Sequence, residues 1–157
     1  MINKLSKSIM MIALSIFFIS CGKEESKNIT NPSNNSDNNN DTSTLEIEKQ
    51  RIVNTYQQWS DLTIIQDYEG ASALIGQGCG IETDLKLLKG NWDDGKQGYY
   101  KFSNVQAELD EQGLRNGLGW AKGDLTIVDG TRILKKKFTS SCFKENNKWL
   151  ICGMFFE

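Results

Sequence analysis

Four cysteines and no histidine set the chemistry open to this 157-residue chain. Without an imidazole there is no Ser-His-Asp or Cys-His nucleophile, no histidine acid or base, and no histidine-ligated metal. Thiol chemistry, carboxylate chemistry and acylation of a cysteine remain. Carboxylates are the groups left to act as a base, with Asp61, Asp67 and Glu108 among them. Asp67 is better explained as a helix cap, however, and Glu108 as the solvent-side residue of a strand. Thiol catalysis lacks both a Cys-x-x-Cys pair and a base. The dispersed cysteines do not make a zinc site. The pair Asp93-Asp94 supplies too few oxygens for calcium, which takes about six to eight. No metal, cofactor or catalytic constellation is therefore expected. The net charge of -2 gives no argument for nucleic acid or an acidic membrane surface as partner.

The fourth cysteine, Cys21, has a different context. Lys4 and Lys7 make a basic start, an apolar run extends from Ile9 to Ile19, and the run ends at Ser20-Cys21-Gly22. The run is shorter than the roughly 20 residues a membrane-spanning helix needs and reads as a secretion signal over residues 1–20. Phe18-Ile19-Ser20-Cys21 resembles the lipobox of bacterial lipoproteins, with Phe18 departing from the usual aliphatic residue. The resemblance implies cleavage before Cys21 and acylation, palmitate included, of its sulfur and new amino group. Each buried CH₂ contributes about 0.8 kcal/mol, so several chains on one residue anchor it stably. The expected partner of Cys21 is thus the lipid bilayer, and the expected location is the cell envelope at the outer membrane. Lys23-Glu24-Glu25 resembles a surface-export signal and equally suits a solvated linker. Residues 28–41 hold seven Asn and no aromatic residue. They cannot bury enough apolar surface to offset ordering, so residues 21–44 read as a lipidated, disordered spacer.

Residues 45–157 then form one domain. Ser43-Thr44-Leu45-Glu46 fits a capping box, and Ile52, Val53, Tyr56, Trp59 and Leu62 make an apolar helical stripe. Asp67 caps a second helix that Gly76 ends in a left-handed turn, and Thr83 to Gly90 is a third. From Tyr99 the pattern becomes strand-like. Tyr99 to Leu109 is one strand, Asp110 to Gly113 a turn, and Leu114 to Val128 a longer strand in which Gly117, Gly119 and Gly123 invite bulges. Asp129-Gly130 signals a hairpin. Thr131 to Phe143 and Trp149 to Phe156 close the sheet around Glu145 to Lys148. The class is α+β, with N-terminal helices packed on a curved antiparallel sheet.

An aromatic-bearing helix, short helices and a curved sheet ending in Lys148-Trp149-Leu150-Ile151 resemble the NTF2-like superfamily, including SnoaL-like domains. Asp67-Tyr68-Glu69-Gly70-Ala71 is similar to the start of that family's second helix. The resemblance implies a sheet bent around the long helix, enclosing a conical cavity. Tyr56, Trp59, Trp92 and Trp120 are the candidates to line it, although Trp59, like Trp149, is also read economically as core. Trp92, beside Asp93-Asp94-Gly95, suits an exposed or cavity-mouth position. Catalytic relatives use an Asp-His pair, impossible here, or a solitary Asp base beside Tyr.

With Cys21 assigned to lipid, Cys79, Cys142 and Cys152 form an odd set in a disulfide-permissive compartment. Cys142 and Cys152 flank the last hairpin and can lie opposite or diagonal, Cys79 can reach either, and three free thiols is the remaining alternative. Lys135-Lys136-Lys137 on a strand points to alternate faces and suits protection of a sheet edge, with an acidic partner or glycan phosphate as the alternative. The expectation is a non-enzymatic lipoprotein domain that binds a small apolar ligand or an envelope protein. The alternatives are a carboxylate-dependent isomerase or dehydratase, and a structural or inhibitory interaction protein with a filled interior.

Overall fold

Helix α1 (Asn38–Ile64) turns Glu48, Ile52, Tyr56, Trp59 and Thr63 inward, and the other elements are arranged on that stripe. The recurrence at three and four residues is the helical repeat. The computed structural model describes residues 38–157, with side chains from residue 43. The leader of residues 1–20, Cys21 and the spacer to residue 37 lie outside the described residues. The helix starts upstream of the expected cap, so Ser43 and Glu46 fall inside it. No Gly or Pro stands between Pro32 and Leu45, so no strong breaker stops a helix already nucleated on its packed stripe from extending backward, even through weak helix formers.

Two further helices follow. In α2 (Tyr68–Ser72) the Asp67 carboxylate accepts the Gly70 N–H at 2.9 Å, as its sequence predicts. Helix α3 (Ile81–Asp93) begins before Thr83 and continues past Gly90. Burial of Ile81, Leu85 and Leu88 on one face outweighs the cost of about 1 kcal/mol for a helical glycine.

Strands β1 (Gly98–Glu108), β2 (Leu118–Asp129), β3 (Arg132–Glu145) and β4 (Lys148–Phe156) form an antiparallel sheet in that order. The expected turn at Asp110 to Gly113 is instead helix α4 (Glu111–Asn116), so Leu114 is helical and β2 begins later. The Asp110 carboxylate caps this helix by accepting the Gly113 N–H at 2.6 Å, and Gly117 ends it at φ 65°. Nor do the glycines of β2 bulge, since its register with β3 is unbroken from Leu118 to Asp129. The irregularity lies in β1 between Ser103 and Gln106, where Asn104 has φ 52°. Gly123 permits it: a Cβ there would lie 2.8 and 2.9 Å from the Ser103 and Asn104 carbonyl oxygens. Both later hairpins turn on two residues, with positive φ at Gly130, Asn146 and Asn147.

Both edges of the sheet are covered. On β1 the Phe102 N–H donates to Ser60 Oγ at 2.8 Å, and the Thr63 hydroxyl lies 2.9 Å from the Tyr100 carbonyl oxygen. Along β4, Ile151 donates its N–H to Leu74 and accepts that of Gly76, both at 2.9 Å. The Cys79–Cys152 disulfide holds this segment in place. Gly76 is therefore not a left-handed stop. It is small because a Cβ would come 2.3 Å from the Phe143 ring. Cys142 pairs in register with Ile151 and remains a buried free thiol. Lys135, Lys136 and Lys137 are exposed on the part of β3 that precedes its pairing with β4, where charge discourages further strand addition.

The disulfide joins residues 73 apart in sequence. Replacing both Cys79 and Cys152 by Ser should lower stability by about 2–4 kcal/mol, measured by urea unfolding of oxidised protein. An unchanged midpoint would refute this role.

Candidate functional site

The centre of the curved sheet is occupied by side chains. Tyr56 and Trp59 are 0% exposed and therefore border no space able to hold even a water molecule. The Tyr56 ring meets Phe102 edge-on at 5.2 Å and Phe138 at 5.7 Å, and Phe102 lies 4.8 Å from Phe138. Trp59 packs on Tyr100 and Phe102, each at 5.6 Å. The Tyr56 hydroxyl donates to Ser140 Oγ at 2.7 Å. Burial, and then the neighbouring Cys142, push the Tyr56 phenol far above its ordinary range, against the opposing effect of the Ser140 hydrogen bond. It stays a protonated donor. These two residues, expected as cavity lining, instead fill the place a cavity would take. Helical spacing assigns them to the inward face but says nothing of the aromatic side chains that meet them.

The other expected positions also differ. Trp92 is half-buried rather than exposed, and its indole N–H donates to the Gly98 carbonyl at 2.7 Å, fixing α3 against the start of β1. Trp120 points to the outer face of the sheet and is 47% exposed. Of the candidate bases, Asp61 is exposed, Asp67 is spent on its cap, and Glu108 pairs with Lys122 on the surface. Burial pushes the Cys142 thiol up to about 12, which removes its thiolate at neutral pH. Asp93 and Asp94 pair with Lys89 and Lys96. Among the described residues no group of three potential ligands is placed to hold a metal.

Two arrangements escape sequence reasoning. Glu48 is buried on α1 and accepts from Arg51 at 2.7 Å, Trp149 Nε1 at 2.8 Å and Lys144 at 2.9 Å. Burial alone would raise its pKa. The hydrogen bonds from Lys144 and Trp149 and the charges of Lys144 and Arg51 outweigh burial and hold the carboxyl below its ordinary range. Glu48 thus clamps α1 to the last hairpin. Asp84 on α3 is half-buried, and burial raises its carboxyl; its charge in turn adds to the burial that raises the Tyr100 phenol. No local pattern marks either acid, because their neighbours come from distant strands.

Concavity is found outside the sheet. A cleft of about 570 Å³ runs between the N-terminal half of α1, the end of β1, α4 and β2. Glu108, Asp110, Gln112 and Asn116 supply its polar wall, and Leu118 and Trp120 its apolar one. Trp120 stands in register with Glu108 on one side and Ser141 on the other.

No family model and no curated sequence matches the chain, and the likeness lies in solved structures. An NTF-2 like protein of unknown function from Shewanella oneidensis MR-1 aligns with TM-score 0.54 and 16% identity over 68% of this chain and 96% of that one. The "putative scytalone dehydratase" of Novosphingobium aromaticivorans aligns with TM-score 0.58 and 15% identity over 74% and 87%. An NTF2-like protein of unknown function from Pseudomonas putida KT2440 gives 0.55 and 8% over 71% and 87%. The fold is NTF2-like. At these identities the likeness shows the fold alone, so the function of this NTF2-like domain rests on its own side chains.

In the NTF2-like domain Glu48 offers a direct electrostatic test. Its folded pKa is depressed, so its stabilisation is present above the ordinary glutamate value of about 4.3 and is lost as pH falls through the lower folded value. Glu48→Gln should cost about 1–3 kcal/mol at pH 7. It should also narrow the difference between urea midpoints at neutral and acid pH. Equal pH sensitivity in the two proteins would remove the clamp from the account.

Proposed function

We propose that this chain is a cell-envelope lipoprotein, held at the outer membrane by acyl chains on Cys21. Its NTF2-like domain acts as a non-catalytic recognition module at its surface. The observation that carries the recognition reading is the filled interior. Tyr56 and Trp59 leave no room beside them for the apolar ligand the fold would otherwise take, whereas Trp120 lines an open cleft. The disulfide supports export, because such bonds persist in oxidising compartments. Among the described residues no helix is long and apolar enough to cross a membrane, so the proposed attachment is through lipid at Cys21, after the short apolar leader.

Fractionation of bacteria expressing the full chain, with mass spectrometry of the mature N-terminus, tests the anchor. The wild-type protein should be acylated at Cys21 and pellet with membranes, whereas Cys21→Ser should lose both properties. An unchanged N-terminus and membrane fraction in the variant would overturn it.

A second reading draws on Asp84, whose raised carboxyl beside Tyr100 is the arrangement a carboxylate-dependent isomerase or dehydratase would use. On this reading, turnover of an enolisable or hydroxylated carbonyl compound would follow the protonation state of Asp84 and would disappear in Asp84→Asn while the fold persists. Absence of any such turnover in the wild-type protein removes the reading.

A further inference from the structure

We propose that the cleft bordered by Trp120 is a saccharide-binding site for a neutral pyranose unit, an inference that rests on the recognition reading above and names its ligand class. Trp120 lies on a strand, half-exposed, with Leu118 beside it at 56% exposure. An indole face in this position offers an apolar platform that adds nothing to the core. Facing it on α4, Gln112 and Asn116 are four residues apart and so share one side of the helix. Their amides and the Trp120 N–H have no partner among the described residues. The two acids are each half-engaged: Asp110 uses Oδ1 to cap α4, and Glu108 uses Oε1 for Lys122. One oxygen of each carboxylate is left to accept.

This combination matches a sugar ring, which has an apolar C–H face and a rim of hydroxyls that both donate and accept. Carboxylate oxygens can only accept and indole N–H only donates, while amides do both, so the wall satisfies a hydroxyl rim in either sense. Charge argues against an anionic ligand such as a phosphate. The one ammonium that lines the cleft, Lys49, is already paired with Glu46 at 2.8 Å, and of its two carboxylates Glu108 is paired with Lys122 while Asp110 has no cationic partner. The volume of about 570 Å³ lies in the range of small-ligand sites. The wall is also built in advance. A Cβ on Gly113 would come within 2.5 Å of the Leu118 carbonyl oxygen, so α4 is pressed directly on β2. A site held open in this way loses little to ordering when it binds.

The test uses the full chain in a detergent without a sugar headgroup, titrated with chitotriose and with cellotriose and followed by tryptophan emission and calorimetry. At least one should bind with a blue shift. Trp120→Ala should weaken it by about tenfold or more, and Trp120→Phe, which keeps a ring face, should retain most of the affinity. Asn116→Ala, on an exposed helix face, should weaken binding several-fold, and it keeps the proposal testable if Trp120→Ala does not fold. No binding by either sugar up to about 10 mM overturns the proposal, as does binding that Trp120→Ala and Asn116→Ala both leave unchanged. Preferential binding of a lysine tripeptide in the same cleft also overturns it while sparing the recognition reading. Membrane fractionation of the expressing bacteria, before detergent is added, reports separately on the Cys21 anchor.

Discussion

The docking of α1 into the bend of the sheet is the constraint on which the rest of the molecule depends. Tyr56 and Trp59 reach Tyr100, Phe102 and Phe138 on two different strands, and each aromatic contact of this kind adds to the large apolar area these rings remove from water. The hydrogen bond from Tyr56 to Ser140 sets the rotation of the helix, because a buried phenol without a partner would cost more than the contact gains. Glu48 secures the other end of the same stripe to the final hairpin. One helical face therefore determines where the strands curve and how far the sheet can close.

A four-stranded open sheet also has two edges, and each is satisfied differently. The hydroxyls of Ser60 and Thr63, one and four residues beyond Trp59, meet the backbone of β1 that has no strand partner. The segment Leu74–Gly76 covers β4 and is held by the disulfide. Where neither device reaches, β3 carries Lys135 to Lys137. These arrangements leave little unpaired edge backbone on which a further strand could add.

A structural consequence follows from volume. An NTF2-like sheet curved around a helix with smaller side chains would leave a cavity, and the aromatic stripe here removes that space. The open cleft lies on the outside, where α4 replaces the tight turn between β1 and β2 and raises a wall beside Trp120. That short helix depends on a local cap at Asp110 and a left-handed glycine at Gly117.

Local patterns in the sequence determined much of the fold. The stripe of α1, the Asp67 cap, the Asn146-Asn147 hairpin and the approximate positions of four strands were all legible, because each depends on residues within a few positions of one another. The exclusion of histidine chemistry was equally decided by composition. Helix α4 was read as a turn although its Asp110 cap and Gly117 end are local, and the other missed features require partners far along the chain. Glu48 is met by residues roughly a hundred positions away and Gly76 is required by a ring on β3, while the choice among the cysteine pairings, left open by the sequence, is made for Cys79–Cys152 by strand register. The same limit applied to the expected cavity. Periodicity shows which way Tyr56 and Trp59 point, but whether a space remains in front of them depends on the side chains that other strands bring to the same point. Only the packed tertiary structure decides that, because volume is exclusive and local propensity does not count it.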